Sequence, residues 1–363
     1  MQKKLRSGYT TGTHATATFI ASLCEYFNSK LSEVLEVTLP KQKIAHIEVS
    51  REGEFCYSSI KGDNDDMDVT KGAKISCTLS KEQPQNLKKQ TPSLIQINNI
   101  KIYIYAGDGV GVVKKKGLKI EPDYPAINPT PLEMMQENAK ALFDGLDAQT
   151  FYVVFSIKDG ELIAKNTANA KVGVMGGISI LGTRGIVKPV SASAYIESIK
   201  AEISVASAFD ESVIVFTLGN SALDFAKNGY DETNIVEIGN FVYDASAILK
   251  KYHFKKFVFV TSVAKMTKVA QGFKNTHNRF GTIDLDEVKG WVFDAFGIKL
   301  EGEFVTLKAL MEVLEDRYHN EFVRLITKKA LQKLRRYLKD FGIKLDAMEV
   351  VTLPHKIKED KVW

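Results

Sequence analysis

The sequence predicts an α+β domain followed by an α/β domain with a mainly parallel sheet, and three observations carry that expectation. Short alternating runs crowd residues 30–110 with hardly a helical pattern among them, which groups strands with strands. Beyond residue 210 come three successive pairs of an apolar run and an amphipathic one, the mark of parallel strands joined by crossover helices. Between the two lies IVKPVSASAYIESIKAEISVA, residues 186–206, which reads as the passage between domains, so the expected division is 1–205 and 206–363.

In chain order, the first element is GYTTGTHATATFIASL, residues 8–23. Hydroxyl residues and glycine at a helix start supply caps and leave the first N–H groups free to hold an anion. Ala15, Phe19, Leu23 and Phe27 recur every four residues and dock the helix on a core. Thr10, Thr11 and Thr13 are therefore candidate substrate-binding residues, although plain capping explains the same hydroxyls. The runs VLEVTL, KIAHIEV, CYSSI, KISCTL, LIQINNI and KIYIYAG are strands by alternation and β-branching. Pro122, Pro125, Pro129 and Pro131 make a stiff connector, LEMMQENAKALFDGL an amphipathic helix, and TFYVVFSI a further strand.

The βα units of the second domain are ESVIVFTLGNSALDFAKNGY, NIVEIGNFVYDASAILKKY and KKFVFVTSVAKMTKVAQG, which make it Rossmann-like and doubly wound. Helices near 304–316 and 320–341 and a strand at 347–353 complete it, with a loose polar tail from His355 to Trp363.

With 44% hydrophobic and 26% charged residues among 363, the chain has enough apolar material to bury two cores. A net charge of +5 with Lys and Arg spread through both halves argues against a nucleic-acid partner. Lys3, Lys4 and Arg6 precede Thr-rich sequence rather than an apolar run, so no signal peptide or membrane partner is expected and the cytoplasm is. Cys24, Cys56 and Cys77 lack the spacing of a zinc site or a disulfide framework. Asp63, Asp65, Asp66 and Asp68 lack the glycine and terminal glutamate of a calcium loop, so no protein-bound metal is expected.

In open parallel sheets ligands bind outside the carboxyl ends of the strands, and an acid at the end of the second strand accepts from a ribose. Gly219 and Asn220 follow the first strand; Glu237 ends the second, with Gly239 and Asn240 beside it. The absence of GxGxxG favours a smaller adenosyl ligand, and S-adenosylmethionine suits the pattern. A tight turn and a strand-end charge account for the same residues equally well. Lys265 and Lys268 stand three apart on one helix face and, with His277 and Arg279, are candidates to clamp substrate carboxylates, although a solvated helix face explains the lysines equally well. Lys114, in a three-lysine run, and Arg184, in GGISILGTRGIV, are further substrate-binding candidates. Asp108, His277 and Asp68 are the candidate catalytic bases.

In order along the chain, LRSGYTTGT (5–13), GDNDDMDVTKGAKI (62–75), AGDGVGVVKKKGL (106–118), PAINPTPLEMM (125–135), MGGISILGTRGIVKP (175–189), EIGNF (237–241) and the Lys265–His277 segment make up a specific set. By that set the chain resembles the CbiD family of cobalt-precorrin-5B (C1)-methyltransferases of anaerobic cobalamin biosynthesis, from the N-terminus to about residue 285. The resemblance implies methyl transfer from S-adenosylmethionine to carbon 1 of a cobalt-containing tetrapyrrole, giving cobalt-precorrin-6A, with the cobalt carried by the substrate. Two departures stand out: His14 replaces a small residue or cysteine, and Thr261–Ala264 replace a Gly-His-x-Gly turn. His14 reads as a packed or exposed histidine, with ligation of the substrate's cobalt as the alternative. The rival functions are a nucleotide-dependent small-molecule kinase, on the strength of GDGVGVV and the Thr-rich helix start, and a non-catalytic tetrapyrrole-binding protein. The sequence is also compatible with a homo-oligomer.

Overall fold

The structure, a computed structural model, describes residues 6–65, 68–87, 89–187, 192–353 and 355–360. The chain divides after residue 192 into two compact units.

Helix α1, Thr11–Tyr26, occupies the middle of the first unit and is buried from Thr11 to Cys24. Its residues are small or apolar on every side, so it buries two faces at once. Phe19, Leu23 and Cys24 lie in the core of a six-stranded sheet. Ala17 and Ala21 lie against a hairpin formed by Val34–Leu39 and Lys43–Glu48. A helix without a wet side must satisfy its own hydroxyls. Thr16 accordingly donates to Gly12 O at 2.9 Å, Thr18 to Ala15 O and Ser22 to Thr18 O, both at 3.0 Å.

The sheet comprises β1 (Ser50–Gly53), β2 (Cys56–Ile60), β3 (Lys74–Ser80), β4 (Ser93–Ile97), β5 (Ile100–Ala106) and β6 (Gln149–Ile157), in the order β1-β2-β3-β6-β5-β4. Phe151, Val153, Phe155 and Ile157 alternate into the core as period two demands. Only β5 and β6 pair in parallel, with Phe155 opposite Ala106. A parallel neighbour requires a long crossover, and the Pro-rich stretch with helix α2 (Pro129–Ala139) lies within it.

Three two-residue strand pairs knit distant segments together: Gly8–Tyr9 with Ile186–Val187, Gly109–Val110 with Gly177–Ile178, and Val112–Val113 with Val174–Met175. The backbones touch where they cross. A Cβ on Gly177 would lie 2.0 Å from Gly109 O, one on Gly160 2.1 Å from the same oxygen, and one on Gly109 2.0 Å from Ile157 O.

The second unit is built on β7 (Val213–Leu218), β8 (Ile235–Glu237), β9 (Lys256–Ser262) and β10 (Ala347–Leu353), all parallel, with β11 (His355–Asp360) antiparallel at the edge. The order is β8-β7-β9-β10-β11. Helices α3 (Ala192–Phe209), α4 (Asn220–Lys227), α5 (Val242–Ile248), α6 (Val263–Ala270), α7 (Leu285–Phe296), α8 (Leu307–Val313) and α9 (Asp316–Asp340) cover it. One sheet face, with Phe216, Phe257, Phe259 and Val350, packs under α3, α5, α6, α7 and α9. The other, with Val215, Val258 and Val351, takes Ala222 and Ala226 of α4. The helices after β7 and β8 thus lie on opposite faces, as right-handed crossovers running in opposite directions require.

The structure departs from the sequence reading in several elements, one of them α3, a helix that fills much of the stretch read as a passage between domains. Helix α7 has its signals in place, Asp284 accepting from Asp286 N and Glu287 N and Gly297 left-handed at φ 69°, yet no helix is expected there from the βα pattern. Residues His355–Asp360, expected as a loose tail, pair with β10; residues 361–363 lie outside the described residues. The sequence-based division at 205/206 falls within α3, which belongs to the second unit.

Gly177→Ala is expected to lower stability by about 3 kcal/mol, since its methyl would overlap a backbone oxygen that cannot swing away. Urea denaturation measures this, and an unchanged midpoint would contradict the close packing at Gly109.

Candidate functional site

In the second unit, the chain leaves β7 toward β8 and then returns past β7 to β9. Neighbouring strands whose connections depart in opposite directions open a crevice at their carboxyl ends. Gly219 closes β7 there at φ 93° and ψ 161°, a backbone conformation reserved for glycine, and caps α4. The nearest atom to a Cβ placed on it is Lys265 Nζ, at 3.5 Å. The first turn of α6 therefore hangs an ammonium over the β7 loop. Asn220 is exposed beside it.

Glu237 ends β8 opposite Thr217 and is partly exposed. Its backbone oxygen accepts from the Tyr195 hydroxyl at 3.3 Å. Gly239 and Asn240 continue the loop. Asn240 accepts twice from Thr276, from the backbone N–H at 3.0 Å and from the hydroxyl at 2.8 Å, so the loop after β8 is tied to the segment after α6.

The two lysines of α6 part company. Lys265 is partly exposed, whereas Lys268 is buried, and its Nζ donates to Thr276 O at 3.1 Å, Asn278 Oδ1 at 2.7 Å and Gly281 O at 3.0 Å. All three ammonium hydrogens are spent on the loop. Burial lowers the Lys268 pKa, and the Lys265 charge adds to the effect. Helical spacing alone gives both residues the same role; the loop folding over one of them separates the roles. His277 and Arg279 are exposed on that loop, His277 Nδ1 accepting from Arg279 N at 3.1 Å.

In the first unit the threonines turn inward. Thr11 donates to Ser179 O and Leu181 O, Thr13 donates to Gly185 O at 2.7 Å, and Thr10 N reaches Gly185 O at 3.0 Å. Gly12 N binds Leu181 O at 3.0 Å. The helix start thus clasps the glycine-rich loop and presents Arg184, exposed at its tip. Glycines of GDGVGVV are likewise filled by their own chain: a Cβ on Gly107 would meet Ser156 Oγ at 2.4 Å, and one on Gly111 would meet Val174 Cγ1 at 2.3 Å. Neither segment offers the open row of amides that a phosphate needs, which removes both supports of the kinase reading.

Lys114 pairs with Asp123 at 2.6 Å, and Asp108 is exposed, its backbone oxygen accepting from Ile157 N. Asp68 receives Lys61, buried at 2% exposure, together with Thr70 N at 2.9 Å and Asn64 Nδ2 at 3.2 Å. Burial pushes the Asp68 carboxyl up, yet the bonds from Lys61 and Thr70 outweigh it and hold its pKa below the ordinary value. Such a carboxylate stays ionised and is a poor proton acceptor at neutral pH. Arg6 holds Asp63 and Asp65, while Asp66 lies outside the described residues. Among the described residues no group of three or more His, Cys, Asp or Glu is placed to hold a metal ion.

His14 is packed, 4% exposed. Ser59 donates to Glu48 O at 2.6 Å and so accepts from His14 Nδ1 at 2.8 Å. Buried in this way, the imidazole is not displayed to a macrocycle. Burial, reinforced by the Lys61 charge, lowers its pKa from 6.5 to about 4.

What the geometry defines is a two-unit protein: a glycine-rich α+β unit, and a parallel-sheet unit with an acid, a glycine turn and an ammonium at its switch point. The CbiD family model matches residues 1–189. The cobalt-precorrin-5B C(1)-methyltransferase of Priestia megaterium is 37% identical over 292 residues, covering 78% of this chain and 76% of the relative. The protein of the same name from Pseudomonas putida GB-1 is 35% identical, covering 80% and 78%. That from Thermoanaerobacter sp. X514 is 31% identical, covering 93% and 91%. The crystal structure of a cobalamin biosynthesis protein (CbiD) from Archaeoglobus fulgidus is 26% identical, covers 70% of this chain and 76% of that one, and superposes with a TM-score of 0.39. The chain belongs to the CbiD family.

The buried His14 makes a prediction about acid stability. Below pH 6.5 the unfolded chain binds a proton that the folded site refuses until about pH 4, so its stabilisation is complete above 6.5 and is lost as pH falls through that window, by about 3 kcal/mol. Denaturant titrations at pH 7 and pH 4.5 should show this loss in the wild type and a much smaller one in His14→Gln; equal losses would exclude His14 as its source.

Proposed function

We propose that this chain transfers the methyl group of S-adenosylmethionine to carbon 1 of cobalt-precorrin-5B in anaerobic cobalamin biosynthesis, with a Rossmann-like second unit holding the donor. The observation that carries this reading is the set at the switch point. Gly219 leaves room beside the backbone, and the Glu237 carboxylate makes no hydrogen bond or ion pair among the described residues, so it is free to accept from a ribose diol. Lys265 Nζ stands over the Gly219 turn, suited to the carboxylate of an amino-acid tail or of the substrate.

Bound there, the donor supplies an electrophilic methyl on a good leaving group, so no protein nucleophile is required. The chain's contribution is orientation, worth up to about 7–11 kcal/mol. A tetrapyrrole rimmed with carboxylates calls for cations, and each unit carries candidates of its own: exposed Arg184 and Lys114, the latter in an exposed ion pair with Asp123, in the first, and exposed Arg279 and partly exposed Lys265 in the second. Thr10, Thr11, Thr13 and Lys268 serve by holding the loops that carry those cations. His277 and Asp108, both exposed, are the proposed proton acceptors, and Asp68 is the weakest of the three for the reason given above. The cobalt belongs to the substrate. Among the described residues no helix is long and apolar enough to cross a membrane, which supports the proposed cytoplasmic location.

Purified protein given labelled S-adenosylmethionine and cobalt-precorrin-5B should yield a corrinoid one methyl heavier by mass spectrometry. Glu237→Gln should weaken binding of S-adenosylhomocysteine about tenfold by calorimetry, the effect of losing a charge-assisted hydrogen bond. Wild-type affinity in that variant would remove the donor from this crevice.

A further inference from the structure

Beyond the acid and the glycine turn, a nucleoside site needs a surface for its base, and no motif in the sequence supplies one. Tyr195 lies in the first turn of α3, within the stretch that reads from sequence as a passage between domains and carries no site motif. Its hydroxyl donates to the backbone oxygen of Glu237 itself, at 3.3 Å. Its ring lies against Gly239: a Cβ there would stand 2.8 Å from the hydroxyl oxygen and 2.9 Å from Cε1 and Cζ. Gly239 is thus fixed twice, by its φ of 55° and by this ring. On its flank the ring meets Phe241, centroid to centroid 5.4 Å, inclined 31°. Burial, with the Glu237 and Glu202 charges, pushes the phenol up to about 12, so it remains a neutral, flat, amphipathic surface. Although pinned on these sides, Tyr195 keeps 39% of its surface exposed.

We infer that Tyr195, backed by Phe241, is the platform on which the adenine of the donor stacks, and so the residue that sets the preference for an adenosyl ligand. This rests on the donor reading of the second unit. A ribose held at Glu237 carries its base only one glycosidic bond away, and the Tyr195 ring is anchored on that same residue and on its next neighbour but one. A flat heterocycle gains from an aromatic face that is already immobilised, because no rotamer freedom remains to be lost on binding.

The test is a titration of the full-length protein with S-adenosylhomocysteine, reading both affinity and the loss of adenine absorbance that accompanies stacking. The wild type should show hypochromism. Tyr195→Phe should keep the affinity within about twofold and the hypochromism intact, whereas Tyr195→Ala should weaken binding about tenfold and abolish the signal. If Tyr195→Ala weakens binding but leaves the hypochromism, or changes neither, or if the bound wild type shows none, the platform is elsewhere while the donor site stands. If the wild type does not bind S-adenosylhomocysteine at all, the donor reading fails and the platform with it.

Discussion

The first unit depends on burying one helix on all sides. Helix α1 lies between the six-stranded sheet and a hairpin, and no turn of it before Glu25 meets solvent. The composition of the segment follows from that position. Alanines admit the hairpin closely, phenylalanine and leucine fill the sheet side, and the threonines and serine return their hydroxyls to carbonyls because no water is available. Its buried start then determines the next layer. Thr10–Thr13 bond to residues 179–185, and Pro131 of α2 sits 2.7 Å from where a Cβ on Gly12 would be. Segments far apart in sequence converge on one helical turn because its first N–H groups and hydroxyls need acceptors that the helix does not supply.

In the second unit the governing constraint is topological. Strand order β8-β7-β9 forces the connections on either side of β7 to diverge, and the neighbouring ends of β7 and β8 carry Gly219 and the partly exposed Glu237. Lys268 shows how such a surface is maintained. One buried ammonium ties three acceptors of the 276–281 loop, and Thr276 in turn fixes Asn240 beside Glu237. Strands alone would bring the acid and the glycine near each other; the lysine ties down the segment to which Asn240 is bonded.

Much of this was legible in the sequence. Runs such as KIYIYAG and TFYVVFSI alternate cleanly because each has one dry face, and VIVFTL reads as continuous apolar residues because both its faces are covered. Gly219 and Glu237 could be placed because strand ends and turns leave local marks. What escaped depends on contacts between distant residues. The helix start of Thr10 to Thr13 looks like an anion cup until Leu181 and Gly185 fill it. Lys265 and Lys268 share a face by spacing, and only the loop decides which is wet. Tyr195 sits in a stretch that otherwise reads as a linker, and its meaning comes from Gly239, forty-four positions later.

The pairing of Gly8–Tyr9 with Ile186–Val187 has a kinetic corollary. Its two partners stand at opposite ends of the unit, so on the ribosome the opening strand must wait until nearly the entire unit has emerged before it finds its mate. Until then the start of α1, from Thr10 to Thr13, lacks the loop that seals it. A unit closed by its own extremities folds late and all together, a high-contact-order process whose exposed interval is the period of greatest vulnerability to aggregation.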